Sequence, residues 1–198
     1  EVWVSGTQVN GEGLNGYGVT AQSGSIVSVS RSRVSDHHSA GLIALDLDTN
    51  LTATEVWISG TQPDSAGVFG AGAVAVLAAR LNLSHSRVSD NHSAGLVGHG
   101  SGTTLTATEV WVSDTKTDDM GFFGVGVIAD LGASVSVRRS YVSDNYTAGI
   151  FFVTAVGSVR ESLLEGTKPG GNQLADGVLI DRSVVSVQSV ISRDNVRA

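Results

Sequence analysis

The residues best placed to do chemistry lie in four loop-like stretches, Gln8 to Gly16, Gln62 to Gly70, Lys116 to Gly124 and Lys168 to Asp176. These supply Glu12, Asp64, Asp118, Asp119 and Asp176, with Tyr17, Phe69, Phe122 and Phe123 beside them. Two carboxyl groups held about 5–9.5 Å apart can act as general acid and base in glycoside cleavage. A denser set of oxygens would take Ca2+ instead. Asp64, Asp118 and Asp119 are the residues for the catalytic role, and no residue is assigned to a metal. The plainer expectation is that the aromatic rings tuck these loops down while the acids face water, and then no residue is catalytic.

Histidine offers a second chemistry. His37, His38 and His92 stand near Asp36 and Asp90 and could ligate a metal with them, but no cluster is evident and solvated turn histidines are the expectation. Asp36, Asp90 and Asp144 recur only on alternate units, roughly 10 Å apart and beyond one ion's first shell. The chain has no Cys, which removes disulfides and thiolate metal sites. Gly11-x-Gly-x-x-Gly16 matches a dinucleotide fingerprint, but no helix follows it.

What positions these residues is a repeat. Glu55 to Gln62, EVWISGTQ, also occurs at Glu1 to Gln8, as EVWVSDTK from Glu109, and more weakly as ESLLEGTK from Glu161. Between the copies runs a second phrase, SRSRVSDHHSAGL from Ser30, SHSRVSDNHSAGL from Ser84 and RRSYVSDNYTAGI from Arg138. Aligned on Val4, Val34, Ile58, Val88, Val112, Val142 and Leu164, the two phrases become one, with steps of 30, 24, 30, 24, 30 and 22 residues. Each unit holds two or three short Val, Ile, Leu, Ser and Thr runs between Gly, Asn and Asp turn signals, which predicts strands throughout. In the first unit they fall near Tyr17 to Ala21, Ile26 to Val29 and Arg31 to Ser35. A strand-only period of this length means one solenoid coil per unit. About seven coils, paired as a 54-residue repeat, form one domain over residues 1–198 and a rod about 34 Å long.

Two columns follow from stacking. Outward on the third strand the series reads Trp3, Arg33, Trp57, Arg87, Trp111, Tyr141, with each Arg between rings of adjacent coils. Three residues before each anchor stand Glu1, Arg31, Glu55, His85, Glu109, Arg139 and Glu161. Alternating charge would fix register, because a one-coil slip places Glu on Glu. Both columns read as structural ladders; a sugar-stacking platform of spaced Trp residues is the rival use.

Gly-Leu opening one strand, a later x-Val-x-Val strand and a third Ser-x-Val-Ser-Asp-Asn strand resemble the right-handed parallel β-helix repeats of the pectin-lyase-like superfamily. The resemblance spans essentially the whole chain. It implies an all-β, right-handed parallel β-helix and an extracellular or cell-surface setting, and it says little about activity. Gly98-His99-Gly100 and Asp118-Asp119 match elements of polygalacturonases in reversed order, and the companion motifs are missing. The lyases of that superfamily need a basic residue on the substrate strand, and no Arg or Lys falls in the first strands here.

Partners are bounded by charge and pattern. A formal charge of −7 disfavours nucleic acid, and no apolar run is long enough to span a membrane. If Leu42, Ala44, Val127, Ala129, Ile150 and Phe152 point inward, then Ile43, Val74, Val97, Ile128, Phe151 and Leu179 form an apolar outer face. Such faces are covered by a further copy or by the rest of a longer solenoid, of which this chain reads as a segment. The expectation is therefore a structural or surface-exposed interaction module. The alternative is a polysaccharide lyase or glycoside hydrolase with its site on the long loops, with Ca2+ as a cofactor if lyase-like and a polysaccharide as partner.

Overall fold

The computed structural model describes residues 2–13, 15–171 and 173–196. Glu1, the head of the charged column, lies outside them. All regular structure is β, wound as a parallel solenoid of about seven turns. The first strands of successive turns are Val19–Ala21, Ala40–Leu45, Ala71–Val76, Ala94–His99, Val125–Asp130, Thr147–Val153 and Ala175–Asp181, and they form one seven-stranded sheet. The second and third strands share a thirteen-stranded sheet. They run as single strands in Ile26–Ser35 and Asn50–Ser59 and separate later, as in Arg80–Ser84 and Arg87–Ser89.

The charged column proves to be a corner. Arg31, Glu55, His85, Glu109, Arg139 and Glu161 all have positive φ, between 46° and 56°. The chain bends there, from second strand to third, and a polar side chain at the bend stays in water. Inward Ser residues just past the corner satisfy its backbone: Ser86 Oγ accepts from Val56 N–H at 3.0 Å and donates to Ser84 O at 2.7 Å.

Register follows the sequence anchors, Val34 pairing Ile58, then Val88, Val112, Val142 and Leu164 along the stack. Inside, small faces large. Ala44, Ala75, Gly98 and Ala129 of the first strands share turns with Leu51, Leu81, Leu105 and Val135 of the second, and the sixth turn inverts the order with Phe152 and Gly157.

A second interior column is polar. The turn after each third strand puts a positive-φ residue first, Asp36, Gly60, Asp90, Asp114, Asp144 or Gly166, and this rotates the next side chain inward. His37, Thr61, Asn91, Thr115, Asn145 and Thr167 are thereby buried. Each Asn carbonyl accepts the backbone N–H of the Thr one turn earlier: Thr61 to Asn91 and Thr115 to Asn145 at 3.0 Å, and Thr167 to Asn195 at 3.1 Å. A repeating buried backbone donor needs such an acceptor on each second turn.

His37 occupies an Asn position, which corrects the expectation of a solvated turn histidine. Its Nδ1 accepts from Thr7 N–H at 3.1 Å, so Nε2 carries the proton it donates to Val4 O at 2.9 Å. Both bonds require the neutral ring, and burial pushes its pKa below the usual 6.5. The unfolded chain therefore binds the extra proton more readily, so this contribution is complete above pH 6.5 and is lost as pH falls through the lower folded-state value. Thermal unfolding at pH 7.5 and 5.5 should show a drop for the native chain that His37→Asn diminishes; equal drops in both would refute the assignment.

Candidate interaction surface

The outer face of the seven-stranded sheet carries the six apolar residues in a single ladder. Ile43 pairs Val74, Val74 pairs Val97, and the series continues through Ile128 and Phe151 to Leu179. Strand alternation puts Leu42, Ala44, Val127, Ala129, Ile150 and Phe152 into the main core, while Val74, Val97, Ile128, Phe151 and Leu179 join a separate cluster with Ala71, Ala94, Val125 and Ala148. Ile43 and Ile128 are nearly covered, at 6% and 8% exposed, whereas Val74, Val97, Phe151 and Leu179 are half-buried. Two residues further along runs a mixed column of Leu45, Val76, His99, Asp130, Val153 and Asp181. His99 Nδ1 lies 2.9 Å from Asp130 Oδ1.

The long loops rise beside this face on alternate turns, and while Glu12 and Asp119 face water as expected, the polarity is reversed at Asp64, Asp118 and the phenylalanines. Asp64 and Asp118 are buried, while Phe69, Phe122 and Phe123 are 63%, 52% and 47% exposed. Asp64 Oδ1 accepts from the N–H groups of Ala66 and Val68 at 2.9 and 3.1 Å, and Asp118 Oδ1 from Met120 and Phe122 at 3.1 and 2.8 Å. Asn10 plays the same part toward Glu12 N–H at 3.0 Å. A carboxylate oxygen can take two backbone donors at once, so the acid is the residue that holds each loop closed. Phe69 and Phe123 are left outside in left-handed backbone, at φ 64° and 59°, a costly conformation for so bulky a side chain.

Neighbouring long loops also bond to each other: Ser65 N–H and Oγ–H to Gly13 O, Asp119 N–H to Gly67 O and Gly171 N–H to Gly121 O. Asp64 and Asp118 thus occupy equivalent places two turns apart, about 10 Å by strand spacing. Asp119 is exposed. Among the described residues no three His, Cys, Asp or Glu are grouped to hold a metal ion. Tyr17, Ile43, Leu45, Val74 and Phe69 line a cleft of about 290 Å³ at the junction of loop and face.

The ladders stand on the other sheet. Arg33 lies 4.4 Å from the Trp57 ring centroid and 5.7 Å from that of Trp3, and Arg87 lies 4.4 Å from Trp111 and 5.6 Å from Trp57. Tyr141 ends the column 5.5 Å from Trp111. Guanidinium groups between the rings occupy the ring faces that a sugar would need. In the corner column Glu109 bridges His85 and Arg139, both at 2.9 Å. The strict alternation fails elsewhere: Glu161 pairs with Arg138 at 3.3 Å rather than with Arg139, and no ion pair joins Glu55 to Arg31 or His85 among the described residues. With Glu109 alone bridging its neighbours in this column among the described residues, register rests on the aromatic column and the interior more than on charge. A pair not foreseen in the sequence lies beyond, where Glu165 accepts from the Tyr141 hydroxyl and from Arg193 Nε, the latter at 2.6 Å. The Tyr141 bond and then Arg193 hold Glu165 below the usual carboxylate range, and the same bond raises Tyr141.

No protein family, no curated protein and no solved structure matches this chain. The surface offers one apolar sheet face flanked by exposed phenylalanines, with Asp64 and Asp118 committed to the backbone of their own loops.

Proposed function

We propose that the protein is a non-catalytic β-helical interaction module whose working surface is the outer face of the seven-stranded sheet, displayed in an extracellular or cell-surface setting as the pectin-lyase-like resemblance of its repeats implies. The observation that carries this is the unbroken column Ile43, Val74, Val97, Ile128, Phe151 and Leu179, continued at its edge by exposed Phe69, Phe122 and Phe123. Val74, Val97, Phe151 and Leu179 keep part of their apolar surface in water beside the exposed rings, and such a patch is a contact surface by default. Asp64 and Asp118, the acids best placed for catalysis, instead close loops. The acidic chain suits neither nucleic acid nor an anionic surface, and no helix is long and apolar enough to cross a membrane.

Val97→Lys with Phe151→Lys tests this, since both positions are half-buried and face outward. The native face should either be covered by association in solution or bind an apolar fluorescent dye, and the double variant should abolish whichever occurs while the far-ultraviolet circular dichroism stays unchanged. If the native chain neither associates nor binds dye, the reading is wrong.

A further inference from the structure

Building on that reading, we propose that the face pairs with a second copy of this chain, antiparallel and face to face, about a two-fold axis lying along the strand direction between the fourth and fifth turns. Three independent features fit this operation. The first is charge. His99 of the fourth turn and Asp130 of the fifth stand next to each other in the mixed column. The axis sets each His99 over the other copy's Asp130, so the two pairs close into an alternating square. His99 Nε2 is available for the second carboxylate, because Nδ1 already faces its own Asp130.

The second feature is shape. Long loops precede the first strands of the first, third, fifth and seventh turns, and short turns precede those of the second, fourth and sixth. An axis between the fourth and fifth turns exchanges odd turns with even ones. Each long loop then meets a turn with no long loop, and Phe69 and Phe123 enter gaps instead of colliding with their own counterparts. The apolar column remains matched under the same operation, with Ile43 over Leu179, Val74 over Phe151 and Val97 over Ile128. A symmetric dimer must be self-complementary in this sense.

The third is size. The second to seventh turns overlap under this operation, and six strands at ~4.8 Å by six residues at ~3.3 Å give a face on the order of 570 Å². Two such faces bury about 1,100 Å², above the roughly 1,000 Å² that a specific interface should clear and at the small end of the standard range. Few charges oppose the approach: in the two outward columns that meet, the ionisable residues are His99, Asp130 and Asp181.

Light scattering on the intact chain should give twice 20.3 kDa at micromolar concentration, and Val97→Lys should weaken association about a hundredfold or more by burying an unpaired charge. Orientation is read with a short bis-maleimide linker, which is specific because the chain has no Cys. Val74→Cys mixed with Phe151→Cys should cross-link, and neither alone should. Cross-linking of Val74→Cys to itself would overturn the antiparallel geometry. A native monomer would overturn the dimer; if that monomer binds the apolar dye, the face serves a different macromolecule and the interaction reading survives, and if it does not, both fall.

Discussion

Replacing Asn145 by Leu should lower the unfolding free energy by about 2–5 kcal/mol, one of the largest losses available from a single polar side chain in this solenoid. Asn145 is fully buried. Its Oδ1 accepts Thr115 N–H at 3.0 Å and its Nδ2 reaches Val112 O at 3.4 Å. Leucine has similar bulk but leaves the Thr115 donor buried without a partner, which costs about 1–3 kcal/mol. Packing adds to this, because the side chain fills the space left by Gly126, where even a methyl group would sit 2.8 Å from Asn145 Nδ2 and 2.5 Å from Gly149 O. A branched apolar group of different shape in so tight a site costs roughly 1–3 kcal/mol more. Asn145→His is the control. His37 fills the corresponding position of an earlier turn, beside Gly18, with the same acceptor role toward Thr7 N–H. That variant should lose much less at pH 7.5 than the Leu variant and should acquire an acid sensitivity that Asn145 lacks. Urea denaturation followed by circular dichroism measures both, and an equal loss for Leu and His would show that shape, not hydrogen bonding, governs the column.

The same column shows where sequence reasoning stops. The number of turns, the register and the Trp-Arg series were legible because a parallel solenoid sets equivalent positions side by side, so a repeat in sequence becomes a ladder in space. The outward column from Ile43 to Leu179 was legible for a similar reason, since strand alternation leaves only two faces to choose from. That Asn91, Asn145 and His37 turn inward was not, because their partner is a backbone N–H from another turn, and backbone donors leave no mark on the sequence. The loops misled for a related reason. Hydropathy assigns Phe69 and Phe123 to the inside and Asp64 and Asp118 to water. Yet a tight loop presents several unpaired N–H groups at one point, and one carboxylate oxygen of Asp64 or Asp118 accepts two of them at once. The corner residues Arg31, Glu55 and Glu109 could be aligned as a column, but their positive φ could not be foreseen from types that rarely adopt it.

Phe152→Ala should cost about 3–5 kcal/mol, and part of that loss should return when Gly157→Leu is added. Phe152 is fully buried, and a Cβ built on Gly157 would lie 2.1 Å from its Cε1, so the ring occupies the volume that the second strand leaves empty in this turn. Other turns fill the equivalent space from the opposite wall. Ala75 stands with Leu81, Ala44 with Leu51 and Gly98 with Leu105, in the ladders that lead to Phe152 and to Gly157. By itself Phe152→Ala leaves a cavity, whereas Gly157→Leu by itself forces the chain against the ring and against Val135 O, 2.7 Å from the added Cβ. Together the two substitutions nearly conserve volume, as in the Ala75 and Leu81 pair, the kind of exchange a close-packed core tolerates, while the close approach to Val135 O remains and keeps the recovery partial. The single-variant costs should therefore fail to add, with a coupling of about 2–3 kcal/mol in a double-mutant cycle. Strict additivity would mean that the two positions do not share one space, and that neighbouring turns settle their packing independently of how each divides its volume between strands. A large coupling would show that each turn of this solenoid conserves a sum rather than a residue, which is why the repeat keeps its period while its individual core positions vary.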